Sequence, residues 1–431
     1  MSDQASTRPL FVVVYPYKVT DFHCELFEMR EFEPYCETRI LDVSQLVAPA
    51  FAAHIDVPQA SRSDVCVPRT WRQLRRELRE LRRRAESSVV CIQNVVPHSL
   101  ATGVWCNLLM FLYLRGRVRM FDLFISGTPV TATEAATNPD ADASGSPRLQ
   151  WFMRAMRQTT TVSEAVKKVS GVSFRALARF LPSALTHRLV AGSDWESLAR
   201  NSSPRAGKLT LVRAHSHDYS HTLLRGDLES ARGTHGGEAV LLDAAGPMFG
   251  DDYAFTGRKR FVTVEAWYPA LCAFFDRLES AFGVRVAIAG HPKSRHPRIA
   301  PYFGNRHVHY GATLELVRNA RFVMTRQSAA VALAVMFRKP IIFLCSDEVE
   351  RDLRAIHGIR SLAALFGKVP VNVDHLPADL SPLLDVDLSR YEAFERSCLT
   401  SDTRMRPNSR VILEDIMNIP HQAAPRGAAL P

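Results

Sequence analysis

The sequence predicts an α/β protein made of two Rossmann-like parallel-sheet domains that face a cleft, and three observations predict it. At 431 residues, with 46% hydrophobic and 23% charged side chains, the chain is ordinary globular material, too long for one typical domain and sufficient for two cores. Short apolar runs alternate with stretches of helical period in both halves, which is the pattern of strand and crossover helix. Several of those runs are apolar on both faces and then break into polar, chemistry-bearing residues. Strands of that kind belong in parallel sheets covered on each side, and such sheets bind ligands beyond the carboxyl ends of their strands.

In the first half, "PLFVVVYPY" (9–17) is the opening strand, "ESSVVCIQNV" (86–95) another and "FDLFISGTP" (121–129) a third, with helical material between them. Residues 131–148 are small, polar and rich in turn formers, so they read as a loop, followed by a helical, Arg-bearing stretch to residue 200. "KLTLVRAHSHDYS" closes this half as its last strand. The run "GVWCNLLMFLYLRG" is a buried helix, because it falls short of the ~20 apolar residues that a membrane span needs.

The second half repeats the alternation more clearly. "GEAVLLD" is a strand ending in Asp243, and "TVEAWYPALCAFFDRLESAFG" carries apolar residues at helical spacing. "VRVAIAGHPKS" is a strand, and "TLELVRNARFVMTRQSAAVALAVMFRKPIIFLCSDEVE" gives a short helix, a strand to Thr325, a helix from Ser328 and a strand over 340–345. Connections of this type are right-handed and their sheet is parallel. The expected division is a first domain over 1–225, a second over 226–385, and a last segment, 386–431, that returns as a helix toward the first domain and ends in a flexible tail.

Each strand end of the second half is chemically pointed. Asp243, then His291, Pro292, Lys293, Ser294 and Arg295, then Thr325, Gln327 and Ser328, and finally Glu348 all fall at carboxyl ends, so the fold converges them on one crevice. A histidine followed by two cations within four positions suits a phosphate or carboxylate. Ser328 can cap the helix it opens or donate to a phosphate, and Glu348 can start the next helix or accept ribose hydroxyls.

A strand ending in "HP" and a later strand-to-helix turn "TRQSAAVALAVMFRKPIIFL" resemble the nucleotide-sugar half of GT-B glycosyltransferases, especially the bacterial capsule and lipopolysaccharide enzymes related to sialyl- and Kdo-transferases. The resemblance covers residues 236–350 and is carried by Asp243, His291, Pro292, Ser328 and the "KPIIFL" strand. It implies that the second domain binds the nucleotide sugar, with the HP histidine and the serine turn on the donor phosphate, and that the first binds the acceptor, a growing surface polysaccharide or lipopolysaccharide. A CMP-linked acidic sugar is the donor type suggested. Two alternatives stand beside it: a nucleotide-sugar epimerase of the same architecture, and a non-catalytic scaffold of envelope polysaccharide assembly.

Glycosyl transfer needs a base for the acceptor hydroxyl and cationic or N–H groups for the departing phosphate. The base is sought after the first strand, at Asp21 with His23 close behind, although "TDFHCE" also reads as a plain helix-capping arrangement. "HSHDYSH" (215–221) resembles a metal cluster but reads better as a hinge loop, so no metal and no other cofactor is expected.

The net charge of +10 is concentrated in "RTWRQLRRELRELRRRAE" (69–86), which holds eight arginines around Trp71, Leu74, Leu78 and Leu81 at helical spacing. It is either a solvated face or a contact for an anionic membrane surface. No motif accompanies it that would make nucleic acid the partner. The eight cysteines show no CxxC spacing and no apolar leader precedes the first strand. The expectation is therefore a cytoplasmic protein with reduced cysteines, peripherally associated with the inner membrane.

Overall fold

The computed structural model describes residues 8–54, 57–84, 88–92, 101–125, 185–201, 209–226, 236–244, 246–247, 261–291 and 300–420. Within them the chain forms two all-parallel sheets, the two α/β domains expected. The first contains β1 (Leu10–Tyr15), β2 (Glu37–Asp42), β3 (Val65–Cys66), β4 (Ser88–Ile92), β5 (Arg119–Phe124), β6 (His187–Val190) and β7 (Thr210–Arg213) in the order β3-β2-β1-β4-β5-β6-β7. The second contains β8 (Glu238–Leu242), β9 (Arg285–Ala289), β10 (Val308–His309), β11 (Ala320–Thr325), β12 (Ile341–Cys345) and β13 (Val371–Asn372) in the order β10-β9-β8-β11-β12-β13. Each sheet is wound outward in both directions from its centre. The winding reverses between β1 and β4 in the first sheet and between β8 and β11 in the second.

The apolar runs are strands because both faces are covered. Along β1 alternate residues enter different cores: Phe11 and Val13 join one, Leu10, Val12 and Val14 the other, all at most 1% exposed. The helix Trp71–Arg83 closes the second of these faces with Leu74, Leu78 and Leu81, each 0% exposed. In the helix Ala101–Leu114, Cys106, Leu109, Met110 and Leu114 are buried while Trp105 and Leu112 are exposed, so the stretch expected as a buried helix is a half-covered one. No helix among the described residues is long and apolar enough to cross a membrane.

Two expectations need correcting. The helical stretch expected to run to residue 200 contains β6, whose Arg188 forms a bidentate pair with Asp122 of β5 at 2.8 and 2.7 Å and lies 3.9 Å over the Phe124 ring. A buried cross-strand ion pair lets a charged residue sit in a central strand, which apolar patterning cannot reveal. The helix expected from Ser328 begins at Val331, because the residues between close tight turns of their own, Val331 N–H donating to Ser328 O at 3.2 Å and Ala332 N–H to Ala329 O at 3.1 Å. The loop over 131–148 lies outside the described residues.

The chain crosses between the domains twice, and the crossings run side by side. The helix His217–Leu224 leads from β7 into the second half, where Tyr219 joins the core. Later, Phe394, Cys398 and Leu399 pack in that same core, and then Val411, Ile412, Leu413, Ile416 and Met417 pack in the first. Glu28 ties the crossings together: one carboxylate oxygen accepts from the Ser220 hydroxyl and the other from Ser409 N–H at 2.7 Å, while Ser220 Oγ accepts from Asn408 N–H at 2.7 Å.

Two histidines sit in this joint. His215 is 0% exposed with Nδ1 2.8 Å from Thr400 Oγ1, and His217 Nδ1 donates to the Leu26 carbonyl at 3.1 Å. Burial pushes each of them down to about 4. A depressed imidazole is neutral in the folded chain, so its stabilisation is complete above the ordinary value of 6.5 and is lost as pH falls toward about 4. Asp218 acts in the opposite sense, since burial pushes it up to about 6 and its contribution is lost as pH rises through that value. The loss of melting temperature between pH 7 and pH 4 should therefore be smaller in His215→Gln than in the parent chain. Parallel curves would show that His215 carries no linked proton.

Candidate functional site

Register decides which residues meet. Leu242 of β8 pairs with Ala289 of β9 on one side and with Thr325 of β11 on the other, so the next residues, Asp243, Gly290 and Arg326, stand side by side at the carboxyl edge, with His291 one step beyond. This edge is where the winding of the second sheet reverses, the place at which doubly wound sheets bind ligands. Of the residues expected here, the structure places Asp243, His291 and Thr325 along this one edge. Pro292, Lys293, Ser294 and Arg295 lie outside the described residues, as does "GDDY" with Asp251 and Asp252.

Asp243 is 7% exposed, and its N–H donates to the Ala289 carbonyl at 3.0 Å, which extends the strand pairing up to the carboxylate. Thr325 is 0% exposed and its hydroxyl has no hydrogen-bond partner among the described residues; the same holds for the Tyr268 hydroxyl on the helix Val264–Phe282. Burial, followed by the charge of Asp243, raises the Tyr268 phenol well above its ordinary value, and the Arg326 charge opposes the shift. Tyr268 stacks on Tyr302 with ring centroids 4.8 Å apart. The result is a polar edge above an aromatic floor.

Gly290 has to be glycine. A Cβ there would lie 2.5 Å from the Tyr310 ring and 2.9 Å from Val308 Cγ1, so the ring covers bare backbone at the end of β9. His291 follows it, half-buried.

The remaining expected residues are placed as follows. Ser328 is half-buried and its Oγ accepts from Ala330 N–H at 3.3 Å, which makes it a turn former three residues before the helix. Gln327 beside it is half-buried. Glu348 accepts from Thr263 N–H at 2.7 Å and from the Thr263 hydroxyl at 2.8 Å, so its carboxylate holds the start of the Val264–Phe282 helix against the end of β12. Its neighbour Asp347 is engaged by Asn372 Nδ2 at 2.9 Å and His375 Nε2 at 3.0 Å.

On the first sheet, Thr20 caps the helix Asp21–Leu26 after β1, beside the reversal of that sheet. His23 completes the capping box: Nδ1 accepts from Thr20 N–H at 3.1 Å and lies 2.9 Å from Thr20 Oγ1, and the ring, 2% exposed, packs 4.8 Å from Tyr15. Asp21 is exposed. Of this pair, Asp21 is the one that can meet a solvent-borne hydroxyl without rearrangement. The three histidines of "HSHDYSH" do not converge, since His215 faces Thr400 and stacks on Tyr219 at 5.0 Å while His217 faces Leu26.

Arg326 was not among the residues expected from the sequence. It stands next in register to Asp243, yet an arginine between a strand and a helix looks like any surface residue. Its guanidinium carbon lies 5.9 Å from the Phe261 ring centroid and 5.5 Å from that of Trp267. The one available signal was its place, directly after Thr325.

The basic helix divides by face. Opposite its leucines, Arg72, Arg76, Arg79 and Arg82 are exposed and have no ion-pair partner among the described residues, whereas Arg83 meets Glu80 at 2.8 Å and Arg84, at the C-cap, meets Glu37 at 2.9 Å.

No protein-family description matches the chain, and no curated protein matches it in sequence. Among solved structures it is similar to the wall teichoic acid polymerase TagF, at 13% identity over 96% of this chain and 91% of that chain with a TM-score of 0.49. It is similar also to Phytolacca americana UGT2, complexed with UDP-2-fluoro-glucose and pterostilbene, at 10% identity over 96% and 100% with a TM-score of 0.49. A putative UDP-N-acetylglucosamine 2-epimerase from Listeria monocytogenes is 12% identical over 97% and 99%, with a TM-score of 0.48.

The unpartnered Thr325 hydroxyl separates stability from function. Replacing it by a methyl in Thr325→Val removes a buried group that lacks a hydrogen bond among the described residues, so the melting temperature should hold or rise. A hydroxyl kept for structure would instead cost about 1 kcal/mol on removal, read as a lowered melting temperature.

Proposed function

We propose that the chain is a metal-independent, inverting GT-B glycosyltransferase that moves a sugar from a nucleotide-sugar donor to a growing surface polysaccharide or lipopolysaccharide acceptor. The observation that carries this reading is the meeting of Asp243, His291 and Thr325 at the reversal of the second sheet. A carboxylate for sugar or ribose hydroxyls and an imidazole for phosphate are what a nucleotide sugar requires there. The sequence resemblance assigns the same edge to the donor.

In the reaction, Asp21 takes the proton of the acceptor hydroxyl as its oxygen bonds to the anomeric carbon. The bond from that carbon to the donor phosphate breaks, and the electron pair leaves with the phosphate. His291, donating a hydrogen bond, with Lys293 and Arg295 after it in sequence, balances the growing negative charge, which is the work a divalent ion does in other transferases. A CMP-linked acidic sugar is the first donor to test.

His291→Ala should weaken donor binding about tenfold in calorimetry, the size of one charge-assisted hydrogen bond, while the melting curve stays in place. Turnover by the parent should persist in EDTA. Undiminished turnover by the variant, or EDTA inhibition reversed by Mn²⁺, would remove the basis for this mechanism.

The acceptor side is proposed to approach a membrane. Four exposed arginines on one helix, Arg72, Arg76, Arg79 and Arg82, with no ion-pair partner among the described residues, would hold the first domain against an anionic leaflet, each adding about 1 kcal/mol near the surface. The attachment should weaken as salt shortens the Debye length to about 8 Å. Sedimentation with anionic vesicles at low salt should be lost in the Arg72, Arg76, Arg79 and Arg82→Gln variant. Equal binding to neutral vesicles would sink the electrostatic mechanism.

A further inference from the structure

We propose that Arg326 is a further phosphate-binding residue of the second sheet, beside His291, a role that rests on the nucleotide-sugar reading and makes it specific. Arg326 follows the fully buried Thr325 at the end of β11 and is half-buried itself. It therefore cannot sample the many orientations of a surface arginine. Two aromatic faces, Phe261 at 5.9 Å and Trp267 at 5.5 Å, flank the guanidinium and favour its cationic form.

A third element fixes its position. At Gly246, three residues beyond Asp243, a Cβ would stand 2.7 Å and 2.9 Å from the two terminal guanidinium nitrogens and 3.0 Å from the central carbon. Backbone, two rings and strand end thus enclose a planar fork of donors at the point where the sheet reverses. One terminal nitrogen, Nη1, is fully covered, so the guanidinium would meet a phosphate oxygen through its other donors in a charge-assisted hydrogen bond. Preorganisation is the physical gain, since the rotamers are already restricted before a ligand arrives.

The surroundings fit the same ligand. Asp243 stands next in register, and its charge and that of Arg326 act in opposite senses on the Tyr268 phenol, so positive and negative groups share one edge. An ester of phosphate with a polyol offers both an anion and hydroxyls.

The test uses the full chain and calorimetric titration with uridine, cytidine and their mono- and diphosphates. The parent should bind at least one nucleotide more tightly than its nucleoside, and the ratio of the two affinities is the phosphate increment. Arg326→Gln should cut that increment by roughly 10- to 100-fold and leave nucleoside affinity unchanged. Arg326→Lys should retain part of it. Gly246→Ala keeps the arginine and displaces it, so it should also reduce the increment, and it decides the matter should the glutamine variant fail to fold. An increment that survives both substitutions overturns the role of Arg326 while leaving the nucleotide reading intact. A parent that binds neither nucleotide nor nucleoside overturns both.

Discussion

Parallel pairing with both faces covered is the constraint on which the rest of this molecule depends. Once β1, β8 and β11 are enclosed by helices on each side, no polar side chain can stand in their middles without a dedicated partner, and the strand ends become the places where chemistry is affordable. Asp122 and Arg188 show the first half of that rule, each supplying the other's hydrogen bonds inside the sheet. Asp243 and Thr325 show the second, since both appear in the last or next residue of their strands. Because all strands in a sheet run the same way, those ends lie along one edge. The reversal of winding then separates the helices that would otherwise cover it.

The relation of one edge to the other depends on the joint between the domains, and Glu28 is its most demanding component. The residue adopts a left-handed backbone conformation, φ 53°, that is uncommon without glycine, and it is 6% exposed. Burial raises its carboxyl above the ordinary value, against the hydrogen bonds from Ser220 and Ser409 that favour the charged form. A glutamate kept in such a place serves geometry: its two oxygens reach both crossing segments at once. Arg406 plays a similar part at the far end, meeting Asp402 at 3.0 Å, Glu414 at 2.6 Å and Asp415 at 2.7 Å. Glu28 therefore links the last segment to the first domain, and Arg406 holds that segment's own turn together.

What could be read from the sequence follows from burial. β8, β9, β11 and β12 were legible because each is a continuous apolar run ended by a polar break, and Asp243, His291 and Thr325, placed at those breaks, lie along one carboxyl edge. β2 was not legible because the outer half of "ETRILD" is exposed or half-exposed and only its last three residues are buried. β6 escaped because its arginine is neutralised by a residue 66 positions away. The two-residue strands β10 and β13 carry too little pattern to announce themselves. The same limit explains the site: capping makes His23 and Glu348 look like functional residues, since a helix start selects the polar groups that a ligand would also select.

The two unpartnered hydroxyls at the second edge carry the argument one step further. Buried polar groups are nearly always satisfied, and each exception costs about 1 to 3 kcal/mol. Thr325 and Tyr268 are both such exceptions among the described residues, and both adjoin the strand end where Asp243 and Arg326 meet. Leucine, valine or phenylalanine would fill either position more stably. At Thr325 and Tyr268 the fold keeps a hydroxyl where a methyl or a bare ring would avoid that cost, so core packing alone does not account for the polarity of this edge.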